Sequence, residues 1–241
     1  MSDILPFTVR YEDQILVGDH HAGSSPRQVL LIHGAGASSR ASHATLRAQL
    51  QARGIGSSAF DCVGHGDTGG AMEQSSLASR TRQAQAVLAA RGLAPPLALI
   101  GSSMGAYNAV RMAQTLAPAA LILIVPGMFT PAAYELPFGP RFSSVIRRER
   151  SWVDSDAWDI VARFKGDFLV IAAEHDAVIP REIPERLFAA AGQARSRRLH
   201  VVPGTDHRRL FSFMAERPAL LDETMELIVD CIQGTAAAAA A

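Results

Sequence analysis

Leu97-Ala98-Leu99-Ile100-Gly101-Ser102-Ser103-Met104-Gly105-Ala106 is the stretch that decides the fold. An apolar run of the buried-strand kind meets a glycine-flanked serine and passes straight into helix-compatible sequence, which predicts strand, sharp turn and helix. At such a turn the central residue, Ser103, is held in a strained backbone conformation. Gly101 and Gly105 remove the side chains that would collide where strand and helix close on each other. The turn lifts the Ser103 hydroxyl clear of the sheet. Outside that context the same G-x-S-x-G spacing is only a turn between small residues.

The alternation extends outward in both directions. Towards the N-terminus, strands are predicted at Val29-Leu30-Leu31-Ile32 and about Ser57 to Phe60, with helices near Ala41 to Arg53 and Ser76 to Arg91. Phe7 to Glu12 and Gln14 to Val17 read as an edge hairpin. Towards the C-terminus, the helix after Ser103 runs to about Thr115, and strands follow at Leu121 to Val125, Phe168 to Ala172 and Arg198 to Val202. Helices are expected after Pro184 and, interrupted at Pro218, at the C-terminus. Strands this apolar, alternating with helices, imply a mostly parallel sheet covered on both faces. Sites in such sheets lie at the carboxyl ends of the strands. Met128 to Gly166, rich in proline, arginine and aromatics, is too long for an ordinary connection. The alanine run 236–241 is low-complexity and is assigned nothing.

Composition limits the function. The 241 residues are 48% hydrophobic and 19% charged, enough apolar material for a sizeable core. With 23 basic and 23 acidic residues the net charge is zero, so no field gathers nucleic acid or an anionic membrane, and a small-molecule partner is expected. Cys62 and Cys231 have neither disulfide nor zinc spacing, which points to a reducing compartment and no metal. Met1-Ser2-Asp3-Ile4 has no leader character and no stretch has the length of a membrane span, so the expected location is cytoplasmic.

The loops after the predicted strands carry His33, His65, Ser103, Asp176 and His207, all directed to one crevice. A serine hydroxyl is a poor nucleophile at neutral pH unless a base takes its proton. Histidine titrates in the range that lets it do so and later return the proton to a leaving group. A carboxylate fixes the imidazole tautomer and stabilises the imidazolium.

In these segments the chain resembles the α/β-hydrolase family, in particular the monoacylglycerol lipase and serine aminopeptidase type of branch with a short cap. The resemblance is carried by His33-Gly34-Ala35-Gly36, Gly64-His65-Gly66-Asp67-Thr68, Gly101-Ser102-Ser103-Met104-Gly105, Glu174-His175-Asp176-Ala177-Val178-Ile179-Pro180 and Pro203-Gly204-Thr205-Asp206-His207. It implies an α/β-hydrolase fold: a mostly parallel eight-stranded sheet with helices on both faces. It also implies one domain over residues 1–235, with 128–166 as a small cap after the sixth strand. The chain order implies Ser103 as nucleophile, Asp176 as orienting acid and His207 as general base. The oxyanion donors map onto the backbone N–H groups of Ala35 and Met104. No cofactor is implied. The expected reaction is hydrolysis of a small or medium carboxylic ester or thioester, with acyl transfer on the same residues as an alternative. Pockets for such substrates are mostly apolar and aromatic, which makes Phe129, Trp152 and Trp158 candidates beside Gly36, whose lack of a side chain lets backbone approach the substrate.

Other readings compete. Asp206 is a rival acid, but neighbours in sequence rarely place carboxylate and ring nitrogen face to face. His20 and His21 are read as loop residues, His43 as helical and His200 as a strand residue, all without direct roles. His33 and His65 are expected to brace loops. Ser102 stands where a larger residue often precedes the nucleophile. A Ser-Lys mechanism has no support, since the one lysine, Lys165, is remote in sequence and Ala106 occupies the position three after Ser103. A dinucleotide site is the main reading from another class, because Gly34-x-Gly36-x-x-Ser39 follows a strand and Asp61 ends the next one. That reading leaves Ser103 and His207 unused. A non-catalytic binding domain on the hydrolase fold is the third, and such domains arise by losing a member of a set that is complete here.

Overall fold

Ile4–Tyr11 (β1) and Gln14–His21 (β2) pair antiparallel from Ile4 opposite His21 to Tyr11 opposite Gln14, in a computed structural model that describes residues 4–235. The alanine run at 236–241 and the first three residues, on which the readings of tail and leader partly rest, lie outside those residues. The hairpin is longer than alternation alone indicated. Gly18 to His21 also pair antiparallel with Phe60 to Ser57, and that second partner extends β2 through a polar stretch. His20 and His21 are therefore strand residues rather than loop residues.

The remaining strands are Gln28–Ile32 (β3), Ser57–Phe60 (β4), Leu97–Ser102 (β5), Ala120–Ile124 (β6), Asp167–Ala173 (β7) and Ser196–Val202 (β8). They form one eight-stranded sheet in the order β1-β2-β4-β3-β5-β6-β7-β8, with β3 to β8 parallel. Every residue of β6 and β7 is buried. Burial on both faces is why these strands read as unbroken apolar runs, each large aliphatic contributing about 1.5–3 kcal/mol by leaving water.

Helices Ala44–Ala52 (α1), Leu77–Ala90 (α2), Met104–Leu116 (α3), Pro140–Ile146 (α4), Ala157–Ala162 (α5), Glu182–Ala190 (α6), Leu210–Ala215 (α7) and Pro218–Gln233 (α8) cover the sheet. On one face α2, α3, α5 and α6 close a core with Leu30, Ile32, Leu99, Leu121 and Phe168. On the other, α1, α7 and α8 close a second core with Val29, Leu31, Ile100, Ile122 and Ile171.

Local chemistry sets the helix ends. Ser76 caps α2 by accepting from the Ser79 amide at 3.0 Å, and Pro218 occupies the first position of α8, where no amide donor is needed. The helix expected over Ala41 to Arg53 divides into a tight turn, Arg40–His43, and α1, because Ser39 and Ser42 cap each other reciprocally at the entry. The helix expected after Pro184 begins at Glu182 instead. Proline is tolerated in a first turn, so it marks that turn rather than the boundary.

Residues 125–166 join β6 to β7 by way of a short turn at Pro131–Ala133 and the brief helices α4 and α5. Hydrogen bonds fasten this segment on two sides. The Ala78 amide donates to the Tyr134 carbonyl and the Phe138 amide to the Ser75 carbonyl, both at 2.9 Å. Asp156 takes the Tyr107 hydroxyl at 2.8 Å and the Arg111 guanidinium, both from α3.

Candidate active site

Ser103 joins β5 to α3 with φ 51° and ψ −117°, a left-handed conformation that a residue with a side chain adopts only under constraint. Three backbone contacts hold it there. Its amide donates to Ile124 O at 2.9 Å, its carbonyl accepts from Gly127 N at 3.0 Å, and Ala106 N closes the first helical turn onto the same carbonyl at 3.1 Å. The flanking glycines are obligatory on steric grounds. A Cβ on Gly105 would sit 2.2 Å from Ile32 O, and one on Gly101 would sit 2.4 Å from Gly105 O.

The Ser103 hydroxyl lies 3.0 Å from His207 Nε2, and His207 Nδ1 lies 2.8 Å from Asp176 Oδ2. These residues, 104 and 31 positions apart, are brought together by the loops after β5, β8 and β7. A carboxylate only accepts, so in the neutral ring the proton sits on Nδ1 and the Nε2 lone pair faces the serine. The β7 and β8 loops are themselves joined. His175 N donates to Thr205 O at 2.9 Å, and Gly204 N donates to Glu174 Oε2 at 2.8 Å.

Asp176 Oδ1 accepts from the amides of Val178 and Ile179, each at 2.8 Å. Burial alone pushes the Asp176 carboxyl up, but the hydrogen bonds from His207 and the two amides outweigh it and hold the group below the ordinary carboxylate value. Asp206 makes no hydrogen bond to the imidazole. Its oxygens take the Arg208 and Arg209 amides at 2.9 and 3.0 Å and the Arg209 guanidinium at 3.0 Å, which turns it away from the ring.

Met104 begins α3, so its amide has no carbonyl one turn earlier to donate to. The amide of Ala35 likewise finds no protein acceptor among the described residues. Ala35 stands exposed in the loop after β3, and Gly36 beside it has φ +67° with open space where a side chain would be. His33 directs this loop. Its Nδ1 donates to Gly34 O at 2.8 Å while its Nε2 accepts the Cys62 amide at 3.0 Å. The Gly34 carbonyl and the Ala35 N–H belong to one planar peptide unit, so holding the first fixes the direction of the second. Burial, with the nearby Arg80 charge, pushes the His33 imidazole well down and keeps it neutral. His65 stacks at 4.9 Å from it and bonds Val63 O at 3.1 Å, so both histidines brace loops.

The acid considered for a dinucleotide ribose is otherwise engaged. Asp61 is fully buried and takes the Arg40 guanidinium, the Arg40 amide at 2.7 Å and the Asp67 amide at 2.9 Å. This latch ties the loop after β3 to the loop after β4.

Phe129 is half-buried, edge-on to Tyr107 at 5.6 Å between ring centroids, and close to Gly127, whose amide holds Ser103. Trp152 and Trp158 are 7% exposed, packed edge to face at 6.3 Å, and covered by Arg150 and Arg186 respectively. Trp158 spends its N–H on Val153 O at 3.1 Å. That packing makes the two indoles anchors of the 125–166 segment rather than a free aromatic wall.

A cavity of about 230 Å³ adjoins Asp176, Ile179, Val125 and Pro126, and a larger one of about 390 Å³ lies by the ends of α3 and α5. Neither is lined by Ser103 or His207. Among the described residues no group of three or more His, Cys, Asp or Glu side chains is placed to hold a metal ion, and no helix is long and apolar enough to cross a membrane.

Two features had no signal in the sequence. His43, at the end of the turn before α1, has its Nε2 2.8 Å from Ser102 Oγ, and the Arg40–Asp61 latch crosses between loops. Polar partners 59 and 21 positions apart leave no spacing to read.

The model of the alpha/beta hydrolase family matches residues 29–168. The chain belongs to the alpha/beta hydrolase family. Two uncharacterized proteins of Mycobacterium tuberculosis are each 32% identical over 192 residues, covering 78% of this chain and 65% of theirs. The chain thus spans a little under two thirds of the curated relatives it matches. Among solved structures, an esterase of Exiguobacterium antarcticum superposes with a TM-score of 0.71 at 16% identity, covering 95% of this chain and 100% of that one. A monoacylglycerol lipase of Paleococcus ferrophilus superposes with a TM-score of 0.70 at 19% identity, covering 92% and 99%. At these identities the structures share the fold.

Proposed function

We propose that the protein is a serine hydrolase that cleaves a small or medium carboxylic ester or thioester through an acyl-enzyme on Ser103. The observation that carries this reading is the hydrogen-bonded chain Asp176–His207–Ser103, at 2.8 and 3.0 Å, ending on a strained, half-buried turn. In the mechanism His207 takes the hydroxyl proton through Nε2 as Ser103 Oγ attacks the carbonyl carbon. Asp176 stabilises the imidazolium, which then protonates the leaving alcohol or thiol. Water, activated by the same histidine, releases the acid. The amides of Ala35 and Met104 receive the negative charge of the tetrahedral intermediate, and one such donor is worth about 3–4 kcal/mol.

The reading as an ester hydrolase draws support from the esterase and lipase among the structural neighbours. Residues 128–166 act as a small cap, and Phe129 and Gly36 contact substrate. The helices of this segment are too short to enclose a long lipid, so small and medium acyl or aryl esters are expected over emulsified triglyceride. A fluorophosphonate probe should label the wild type and not Ser103→Ala. Turnover of p-nitrophenyl esters and acyl thioesters, compared across acyl length, then separates esterase from thioesterase. Undiminished labelling or turnover in Ser103→Ala defeats the proposal.

A further inference from the structure

The mechanism above leaves Ser102, the first of the two serines at the turn, without a part. Alternation along β5 puts Ser102 on the face of Ile100, which packs with Leu46 and Leu50 of α1. On that side its hydroxyl meets His43 Nε2 at 2.8 Å. His43 is buried and closes the turn Arg40–His43, which follows the loop carrying Ala35. Its other nitrogen, Nδ1, has no protein partner among the described residues. A buried N–H without an acceptor is rarer than a buried lone pair without a donor, so the proton belongs on Nε2 and is donated to Ser102 Oγ. Burial, reinforced by Arg47, pushes the imidazole down to about 4, so this arrangement is the neutral ring.

The position of this contact gives it a consequence. The β3–β5 ladder ends with Ile32 opposite Gly101, before either Ala35 or Met104 is reached. Beyond that end, among the described residues, His43–Ser102 is the side-chain hydrogen bond that crosses from the loop after β3 to the turn at Ser103. The far side of the same loop is held by Arg40 on Asp61. The loop is thus fixed between two struts, one to β4 and one to β5.

We propose that His43 and Ser102 are positioning residues whose hydrogen bond sets the spacing between the Ala35 and Met104 amides, and so the transition-state stabilisation these donors deliver. This rests on the reading of those two amides as the oxyanion donors. Such donors act on an oxygen that is charged only in the transition state, so misplacing one lowers kcat and leaves substrate binding nearly untouched. Removing a donor costs a factor of about 10²–10³, and loosening one should cost about 10- to 100-fold.

The test compares Ser102→Ala, His43→Leu, the double variant and His43→Gln with the wild type. The measurements are kcat and KM on a p-nitrophenyl ester, inhibition by an alkyl boronic acid and thermal melting. Both single variants should lose about 10- to 100-fold in kcat with KM within twofold. Boronate affinity should fall in parallel, because the boronate mimics the tetrahedral state. The double variant should be no worse than the worse single one, since both remove the same bond. His43→Gln, which can still donate to Ser102, should recover most of kcat. Ser102→Ala deletes only one oxygen, so it keeps the test valid should His43→Leu fail to fold. Wild-type kcat in Ser102→Ala overturns the proposal. So does a loss confined to KM, or independent additive losses in the double variant. If the wild type itself neither turns over esters nor takes a fluorophosphonate, the reading as a serine hydrolase falls, and this inference falls with it. If the wild type is active and Ser103→Ala is dead while Ser102→Ala is unaffected, only the inference falls.

Discussion

Asp176→Asn tests the proposed roles most directly, because the surroundings of Asp176 dictate how an asparagine would sit. Oδ1 accepts two amides, those of Val178 and Ile179, at 2.8 Å. An asparagine must keep its carbonyl oxygen there, since turning the NH2 towards two N–H donors would leave three donors facing one another. The NH2 therefore points at His207 Nδ1, where Oδ2 stood at 2.8 Å. That forces the imidazole proton onto Nε2, aimed at Ser103 Oγ, and the base can no longer accept the hydroxyl proton. The expected loss is about 10⁴ in kcat, or roughly 5 kcal/mol of barrier, the scale of a wrong-tautomer triad. Asp206→Asn keeps its caps and makes no hydrogen bond to the ring, so its kcat should stay within a few-fold of the wild type. Steady-state kinetics on a p-nitrophenyl ester, with circular dichroism to establish folding, measures both. A loss under tenfold in Asp176→Asn, or a larger loss in Asp206→Asn, would refute the assignment. The pH dependence of stability is a second readout. Asp176 has a lowered folded-state value, so its contribution is present above the ordinary carboxylate value of 3.8 and is lost as pH falls through the lowered one. The stability gap between wild type and Asp176→Asn should close only in that acid range.

Asp61→Ala leaves the Arg40 and Asp67 amides without their buried acceptor, although the Arg40 guanidinium keeps Asp19 and Asp67, so urea denaturation should show a loss of about 2 kcal/mol or more; a loss under 1 kcal/mol would contradict the latch. Burial raises both Cys62 and Cys231 above the usual thiol range, so neither should react with a disulfide reagent at pH 8 until guanidinium is added. Rapid reaction of the native protein would show that one of these sites opens.

The parts of this molecule that were legible in its sequence are those where one residue type satisfies a local backbone demand. Gly101 and Gly105 are required by the close approach of β5, α3 and β3, and that demand appears in the sequence as two glycines at fixed spacing. The apolar strands were legible because burial on both faces excludes polar residues along their length. Boundaries failed where a partner elsewhere in the chain decided them. β2 runs on to His21 because β4 pairs with it, and Pro184 lies inside α6 because a first turn needs no donor from it.

The site divides along the same line. Ser103, Asp176 and His207 stand at strand ends, where topology delivers them to one place whatever the intervening sequence. That these three would meet was implied by the resemblance to the hydrolase family, and their contacts are 3.0 and 2.8 Å. What orients the proposed oxyanion donors could not be anticipated. The direction of the Ala35 amide depends on His33 holding Gly34 O, and the distance from that loop to the turn depends on His43 reaching Ser102. Each is one hydrogen bond between a histidine and a small partner, with the ring held neutral by burial. A charged imidazole in either place would carry a second N–H, and each ring has one nitrogen with no acceptor to offer it: His33 Nε2 faces the Cys62 amide, and His43 Nδ1 has no partner among the described residues. Burial therefore does more than pack these rings. It removes the protonation state that would set a second N–H of His33 against the Cys62 amide and leave one of His43 without an acceptor, and so keeps each ring in the form that fits its hydrogen-bond partners.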